Sequence, residues 1–393
     1  MANTLKFGTD GNWATKKGST LAYNDEGGNF KPLPFTTTRN SIATRVNKEG
    51  LIEVVGRDAP RIDYLDSEDG VFLLEKASTN LITYSEDFSN AAWHKSEATI
   101  ESGYLAPDGT LNAFKVSGVI GFLSTTPPTT QTTTRSIYAR TVSGIGTAQL
   151  LSHNSNTNNI FTITEEWQRF DLNTSGLTGF NNFYAVDFRG SSTLNEIILW
   201  GGQAESGNLS SYIPTNGSTV TRQADTASGA GNDVVFNDSE GVLFADISAF
   251  DGAGGGTRRI EVSNGVSATQ YVRLQIANGD GSLYAILNNG SQQFLFNETS
   301  FNATLPNKIS LKYKENDFSL FVNGFEVGSS NVGNTFANGV LRQANFSSTL
   351  SEFYGKTKEL GYYDTALTDE ELEYMTSYRT LRRMAEELNL NKL

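Results

Sequence analysis

Apolar and polar residues alternate along Thr269-Gln270-Tyr271-Val272-Arg273-Leu274-Gln275-Ile276, so that Val272, Leu274 and Ile276 share one side of an extended chain while Arg273 and Gln275 share the other. The same period recurs in Lys308-Ile309-Ser310-Leu311-Lys312-Tyr313. Strands of this kind have one dry and one wet face, as antiparallel sheets allow. Further strand-like runs, rich in β-branched and aromatic residues, are Ala113-Phe114-Lys115-Val116, Arg135 to Arg140, Trp167 to Leu172, Phe183 to Phe188, Glu196 to Trp200, Glu240 to Ile247 and Phe318 to Val327. Turn residues interrupt these runs at sandwich-like intervals. Within the last run, Asn323-Gly324 supplies the two positive-φ positions of a type I′ hairpin, and Asn47 to Gly50 reads as a second hairpin turn.

One segment has a different period. After Leu367, Thr368 and Glu371 have capping-box spacing, and Asp369 and Glu370 favour the positive end of a helix dipole. Leu372, Met375, Tyr378, Leu381, Ala385 and Leu388 then recur every three or four residues, which predicts a helix with one apolar stripe reaching towards the C-terminus.

The runs divide the chain into four regions. Residues 1–75 are rich in Thr, Asn and Gly and carry too little apolar material for a strong core of their own, so they are expected to lie on a neighbour as an attachment region. Residues 76–225 and 226–378 each hold enough strands for a sandwich, and the small, polar stretch from Ala224 to Asp233 separates them. Residues 379–393 form a helical extension. In Trp200 to Arg222, a last strand is expected to pass through a Gly201-Gly202 turn and leave by Tyr212-Ile213-Pro214. The length of 393 residues agrees with two or three domains.

Composition narrows the chemistry. A net charge of −13, with Arg379-Thr380-Leu381-Arg382-Arg383 the one basic cluster, argues against nucleic acid as a partner. Cysteine is absent, which removes disulfides and thiolate chemistry. His94 and His153 are the only histidines and lie in no metal or triad motif, so both read as strand or loop residues. No run approaches a membrane span and Met1 to Asp10 has no apolar leader, so neither membrane insertion nor a signal peptide is expected.

Sugars present apolar faces rimmed by hydroxyls, and a glycan site therefore needs aromatic faces beside amides and carboxylates. Trp167 and Trp200 lie in apolar strands and read as core. Trp93, Tyr184, Tyr271 and Tyr284 are the glycan-binding candidates, with Trp13 in a similarly polar setting. Catalytic residues are not expected: glycoside cleavage needs two acids in one cleft, no E-x-D-x-x-E spacing occurs, and the pairs Glu165-Glu166, Glu370-Glu371 and Glu386-Glu387 read as solvated charge. No cofactor is expected. Asp87, Asp225, Asp246 and Asp251 are the carboxylates a structural calcium would use, although no dense D-x-D-x-D loop is present. Gly252 to Gly256 lacks the lysine and following helix of a phosphate cradle and reads as a plain loop.

Three sets of residues carry a family resemblance. Ser78-Thr79-Asn80-Leu81-Ile82-Thr83-Tyr84-Ser85-Glu86-Asp87-Phe88 with Trp93, and Trp200 to Glu205 with Ser211-Tyr212-Ile213-Pro214-Thr215 and Thr221-Arg222, resemble the opening and closing segments of a carbohydrate-binding jelly roll of phage structural proteins. Ile309 to Gly324, and Tyr354 to Leu360 with Leu367 to Leu372, resemble a concanavalin A-like, laminin G-like domain. Trp13 to Lys16, Pro34-Phe35, Ala43 to Asn47 and Gly50 to Glu53 look like the leader preceding such modules in phage fibre or decoration proteins. The resemblance implies an all-β fold: two tandem jelly-roll β-sandwiches with an N-terminal attachment region and a C-terminal helix. It also implies a non-enzymatic, glycan-binding structural protein on the virion surface of a tailed bacteriophage, as head fibre, capsid decoration or tail fibre. Its expected partners are other virion proteins and further copies of itself, in a trimer. A virion polysaccharide depolymerase and a purely architectural cement protein are the alternatives.

Overall fold

A computed structural model describes residues 4–11, 13–16, 19–21, 23–24, 33–127, 134–151, 159–174, 182–250, 257–265, 269–277, 281–348 and 351–378. The fold is all-β, with one short helix among the described residues. It divides into two compact units that interleave along the sequence: residues 1–40, 56–76 and 224–393 form the first, and residues 41–55 and 77–223 the second.

The first unit is built on a sandwich of two large antiparallel sheets and also holds a four-stranded sheet of Ala14–Lys16, Ser19–Leu21, Phe35–Thr38 and Thr226–Ser228. Its broad sheet has nine strands, with Phe325–Ser330, Asp317–Val322, Asn307–Lys314, Glu240–Ala249, Gly355–Tyr363, Thr4–Phe7 and Tyr23–Asn24 in spatial order and Val71–Leu74 and Ile62–Asp63 branching from Gly355–Tyr363. The opposing sheet runs Gln292–Glu298, Leu283–Asn289, Gln270–Ile276, Arg258–Ser263 and Gln343–Asn345. Val272, Leu274 and Ile276 point into the core between the sheets with Ile260, Val262, Leu283, Ala285, Leu287, Leu311 and Leu320. The period-two pattern therefore translates directly into a buried face.

The first 75 residues do not follow the linear division. Thr4–Phe7 pairs with the far end of the chain, Thr4 opposite Tyr363 and Phe7 opposite Leu360. Leu5, Phe7 and Phe35 fill the core of the first unit, whereas the hairpin Ala43–Val46 with Ile52–Val55 belongs to the second. Short apolar stretches that cannot close a core alone gain most by completing one built elsewhere. The second unit ends at Gln223, and the polar stretch that follows leads back into the first.

A buried ion network fastens these returning segments. Arg61 is fully buried and donates to Glu75 at 2.6 Å and to Asp225. Arg39 donates to the other Asp225 oxygen at 2.8 Å and to the backbone oxygen of Ala59 at 3.1 Å. The Glu75 backbone N–H donates to Asp225 at 2.9 Å. Burial opposes the charge of Arg61, but the two carboxylates outweigh it and hold its pKa above the ordinary value. The Asp225 carboxylate is thus neutralised by two guanidiniums, which leaves it poorly suited to calcium.

The second unit is a sandwich of two five-stranded sheets. One runs His94–Ser96, Phe122–Thr125, Phe183–Asp187, Gly146–Gln149 and Ile160–Ile163; the other runs Thr99–Tyr104, Ala113–Ser117, Glu196–Glu205, Thr134–Arg140 and Gln168–Asn173. Ser78–Asn80 pairs with Val220–Arg222, so the two segments that open and close the module lie side by side. Trp200 is core, in a cluster with Tyr138 and Tyr212, and its indole N–H donates to Asn112 at 2.8 Å. Trp167 is only half-buried, with the Arg140 guanidinium 5.4 Å from its ring centre.

Gly201-Gly202 makes no turn. Glu196–Glu205 is one ten-residue strand, and its register against Thr134–Arg140 shifts between Ser136 and Tyr138. Gly201 takes φ +65°, where a Cβ would sit 3.1 Å from the Tyr138 ring, so the glycines form a β-bulge.

The predicted turns and cap are present. Asn323 and Gly324 have φ +52° and +89°. The Thr368 side chain accepts from the Glu371 backbone while Glu371 reaches back to the Thr368 N–H. The helix spans Asp369–Thr376 and places Leu372 and Met375 against Val242, Phe244 and Phe321 of the broad sheet. Its expected continuation through residues 379–393 lies outside the described residues. No described helix is long and apolar enough to cross a membrane.

Candidate functional site

The five-stranded sheet of the first unit has a second face, opposite the core, and its composition is legible from the register. Arg259 pairs with Gln275, Gln275 with Tyr284 and Tyr284 with Asn297, so these four side chains form one row across four strands. Beside it runs a second row of Asn345, Glu261, Arg273, Ile286 and Leu295, and beyond that a third with Gln343, Ser263, Tyr271 and Asn288. At roughly 4.8 Å between strands, four strands extend over about 14 Å, the span of a short oligosaccharide.

The first row is the open one. Arg259, Gln275 and Tyr284 are half-buried and Asn297 is exposed. The Arg259 Nε donates to Gln275 at 3.0 Å, and the Asn297 amide donates to the Tyr284 hydroxyl at 3.2 Å. These bonds fix one charged group, two amides and one aromatic ring in a line. The line is suited to hydrogen-bonding hydroxyls while a ring stacks on the phenol.

The second row is closed around an ion pair. Arg273 and Glu261 are each 3% exposed, and the Arg273 Nε donates to Glu261 at 2.7 Å. The Arg273 guanidinium carbon lies 3.4 Å from the centre of the Tyr271 ring, a stacked cation–π contact. One of its nitrogens, Nη2, is shielded from water without a hydrogen-bond partner. Burial and the like charge of Arg273 both lower the pKa of Arg259, partly offset by Glu261.

The four aromatic candidates from the sequence separate here. Tyr284 and Tyr271 share this face, as their alternation with apolar residues required, but Tyr271 is 8% exposed with one ring face covered by Arg273. Tyr184 lies on the outer face of the other unit, 6% exposed, with Phe122 5.1 Å and the Arg189 guanidinium 5.6 Å from its ring. Arg189 is held there by two bonds to the buried carboxylate of Asp187, at 2.8 and 2.7 Å, and this pairing raises its pKa.

Trp93 corrects the sequence reading. It is 2% exposed, packs edge-on against Phe88 and Phe183, and donates its indole N–H to the Tyr84 backbone at 2.8 Å. A ring enclosed on both faces cannot stack on a sugar. The cause is a loop, Asp87 to Ala92, that folds the indole under the sheet: the Trp93 backbone N–H donates to the Asn90 carbonyl at 3.1 Å, and no period in that stretch announces burial. Trp13 is half-buried against Phe72 and donates to the Gly70 backbone.

Arg259, Glu261, Gln275 and Asn297, which the structure adds to this face, are not among the sequence candidates, although their signal is present. Arg258-Arg259-Ile260-Glu261-Val262-Ser263 has the same period as Gln270 to Ile276, and pairing the two wet faces would have placed Arg259 beside Gln275.

A cleft of about 570 Å³ opens elsewhere on the first unit, lined in part by Asp66, Ser67, Asp246, Ser248, Lys356 and Lys358. Lys356 is paired with Asp66. Among the described residues no three His, Asp or Glu side chains group as a metal site. Asp87 accepts from the backbone and hydroxyl of Ser89, and Asp251 lies outside the described residues, as do His153 and the Gly252 to Gly256 loop.

No protein-family model and no curated protein matches this chain. Solved structures do. A carbohydrate-binding module, the CBM40 of Ruminococcus gnavus IT-sialidase bound to α2,3-sialyllactose, is similar at 19% identity and TM-score 0.32 over 37% of this chain and 86% of that one. Domain 4 of AbnA, an extracellular arabinanase from Geobacillus stearothermophilus, in complex with arabinotriose, is similar at 12% identity and TM-score 0.32 over 44% and 83%. The leech intramolecular trans-sialidase is similar at 18% identity and TM-score 0.31 over 37% and 24%.

Proposed function

We propose that this chain is a non-enzymatic structural protein of a tailed-phage virion surface, as head fibre, capsid decoration or tail fibre, and that it binds glycans. The observation that carries the binding part is the open row of Arg259, Gln275, Tyr284 and Asn297 on the outer face of the first unit. The virion part rests on the sequence resemblance of the segments 78–88, 200–222 and 309–372. A trimer would multiply weak single sites into useful avidity.

The test of binding is a panel of immobilised neutral and acidic glycans probed with the purified chain. Tyr284→Ala is expected to weaken binding about tenfold, since an aromatic contact contributes roughly 0.5–1.5 kcal/mol beyond its buried area. A blank panel would favour a purely architectural cement protein. Antibodies against the chain should label intact particles, and their absence from particles would remove the virion reading.

The cleft containing Asp66 and Asp246 gives the depolymerase alternative a structural foothold, because two acids in a cleft are the minimum for glycoside cleavage. Release of reducing ends from bound polysaccharide, abolished in Asp246→Asn, would replace the binding-only reading.

A further inference from the structure

The outer face of the five-stranded sheet in the first unit changes character along its rows. In the strand Leu283–Asn289, Leu283, Ala285 and Leu287 face the core, so the period places Tyr284, Ile286 and Asn288 on the outer side. In Gln292–Glu298, Phe294 and Phe296 pack towards the core, and Leu295 and Asn297 stand outside. Ile286 lies directly opposite Leu295, and Tyr284 directly opposite Asn297. The second row, charged at Glu261 and Arg273, thus continues as two aliphatic side chains. Leu295 is 46% exposed and Ile286 9%. A single apolar side chain on a surface needs no explanation. Here two aliphatic groups and one aromatic ring adjoin, and the amides of Gln275 and Asn297 flank them. Opposite side chains on neighbouring strands are about 5 Å apart at Cβ and alternate ones along a strand about 7 Å, so Tyr284, Ile286, Leu295 and Asn297 bracket roughly the footprint of one sugar ring.

We propose that the saccharide bound on this face carries a methyl group, as the C6 of a 6-deoxyhexose or the end of an acetyl group, and that Leu295 and Ile286 receive it. The inference rests on the glycan-binding reading of the same face. The Asn297 amide donates to the Tyr284 hydroxyl at 3.2 Å, which holds the phenol beside the aliphatic pair. A sugar ring over the phenol keeps its hydroxyls within reach of the Gln275 and Asn297 amides while one substituent points to Leu295. A methyl group there leaves water that it binds poorly and gains apolar contact. A hydroxyl or hydroxymethyl group at the same place meets no donor or acceptor on either aliphatic chain, so it gives up its water without replacement. Discrimination therefore comes from the penalty on the hydroxylated sugar as much as from contact with the methyl-bearing one. Because Leu295 is partly open to solvent, the preference falls at the low end of what one methyl group provides, about tenfold.

The experiment uses the full chain on an array of matched pairs: 6-deoxyhexose glycans with the corresponding hexose glycans, and N-acetylhexosamine oligomers with the corresponding hexose oligomers. Binding about tenfold tighter to the methyl-bearing member is expected in at least one set, and the set that shows it identifies the source of the methyl group. Leu295→Ser should bring the methyl-bearing members down to the level of their partners, and Leu295→Met, which keeps an apolar side chain, should retain the preference. Leu295 is already exposed on the last strand of its sheet, so neither substitution opens a core. Tyr284→Ala should weaken both members of each pair by a similar factor. Equal or weaker binding of the methyl-bearing member in every pair would overturn the inference and leave the glycan reading standing. Absence of binding to every member would overturn both, and a preference retained in Leu295→Ser would overturn the placement. Self-association in sedimentation that Leu295→Ser abolishes, with equal binding within the pairs, would assign the patch to a second copy of the chain instead.

Discussion

Replacing Asp225 by alanine is expected to destabilise the first unit by about 3–5 kcal/mol, the usual cost of breaking a buried ion pair by removing one partner. The carboxylate accepts from Arg39, Arg61 and the Glu75 backbone, and side chains of the network are at most 6% exposed. Removing it takes one carboxylate from both arginines, while Arg61 keeps its pair with Glu75 and Arg39 its bonds to the Ala59 and Gly56 backbone oxygens. Asp225→Asn keeps the shape but not the charge, so it should fall between alanine and the native protein. Unfolding in urea, followed separately for each unit, checks this: the midpoint of the first unit should drop while that of the second stays. A drop equivalent to less than about 1 kcal/mol, the value of an exposed pair, would show that these charges are not acting as a buried network. The consequence reaches beyond local packing, because the four residues come from three stretches of chain, 39, 61–75 and 225, that surround the excursion into the second unit.

Trp93→Ala is expected to cost about 3–5 kcal/mol in the second unit, the range for removing a large aromatic side chain from a packed core. The indole lies 4.8 Å from Phe88 and 5.9 Å from Phe183 between ring centres, and its N–H is satisfied by the Tyr84 carbonyl. Trp93→Phe retains most of the volume and loses the hydrogen bond, so it should cost less and leave glycan binding unchanged. Calorimetry on both variants, paired with the glycan panel, distinguishes a core residue from a ligand residue. Intact stability in Trp93→Ala together with lost binding would return Trp93 to the glycan site.

These two residues also mark where reading the sequence stops. Asp225 was placed among loop carboxylates suited to calcium, and Trp93 among aromatic residues open to sugar. The partners that decide their roles, Arg39 and Arg61 for one and Phe183 for the other, are between 90 and 186 residues away, beyond the reach of any local pattern. Tyr284 and Tyr271 fared differently. Their alternation with Val272, Leu274, Leu283 and Ala285 put them on the wet face of their strands, and that is where they stand. The same contrast holds for Gly201-Gly202, where the glycines signalled an irregularity but only pairing with Thr134–Arg140 makes it a bulge inside a strand.

Local patterns were enough to determine the strands, the Asn323-Gly324 hairpin, the Thr368 cap and the all-β class, because each depends on side-chain period or on backbone preferences within a few residues. Tertiary structure alone decided that Thr4–Phe7 completes a sheet with Gly355–Tyr363, that Asp225 closes an ion network, and that Arg273 pairs with Glu261 across the strands beneath Tyr271. The physical reason is that burial and charge pairing depend on which strands lie side by side, and that choice is made by the collective packing of two sheets rather than by any segment alone.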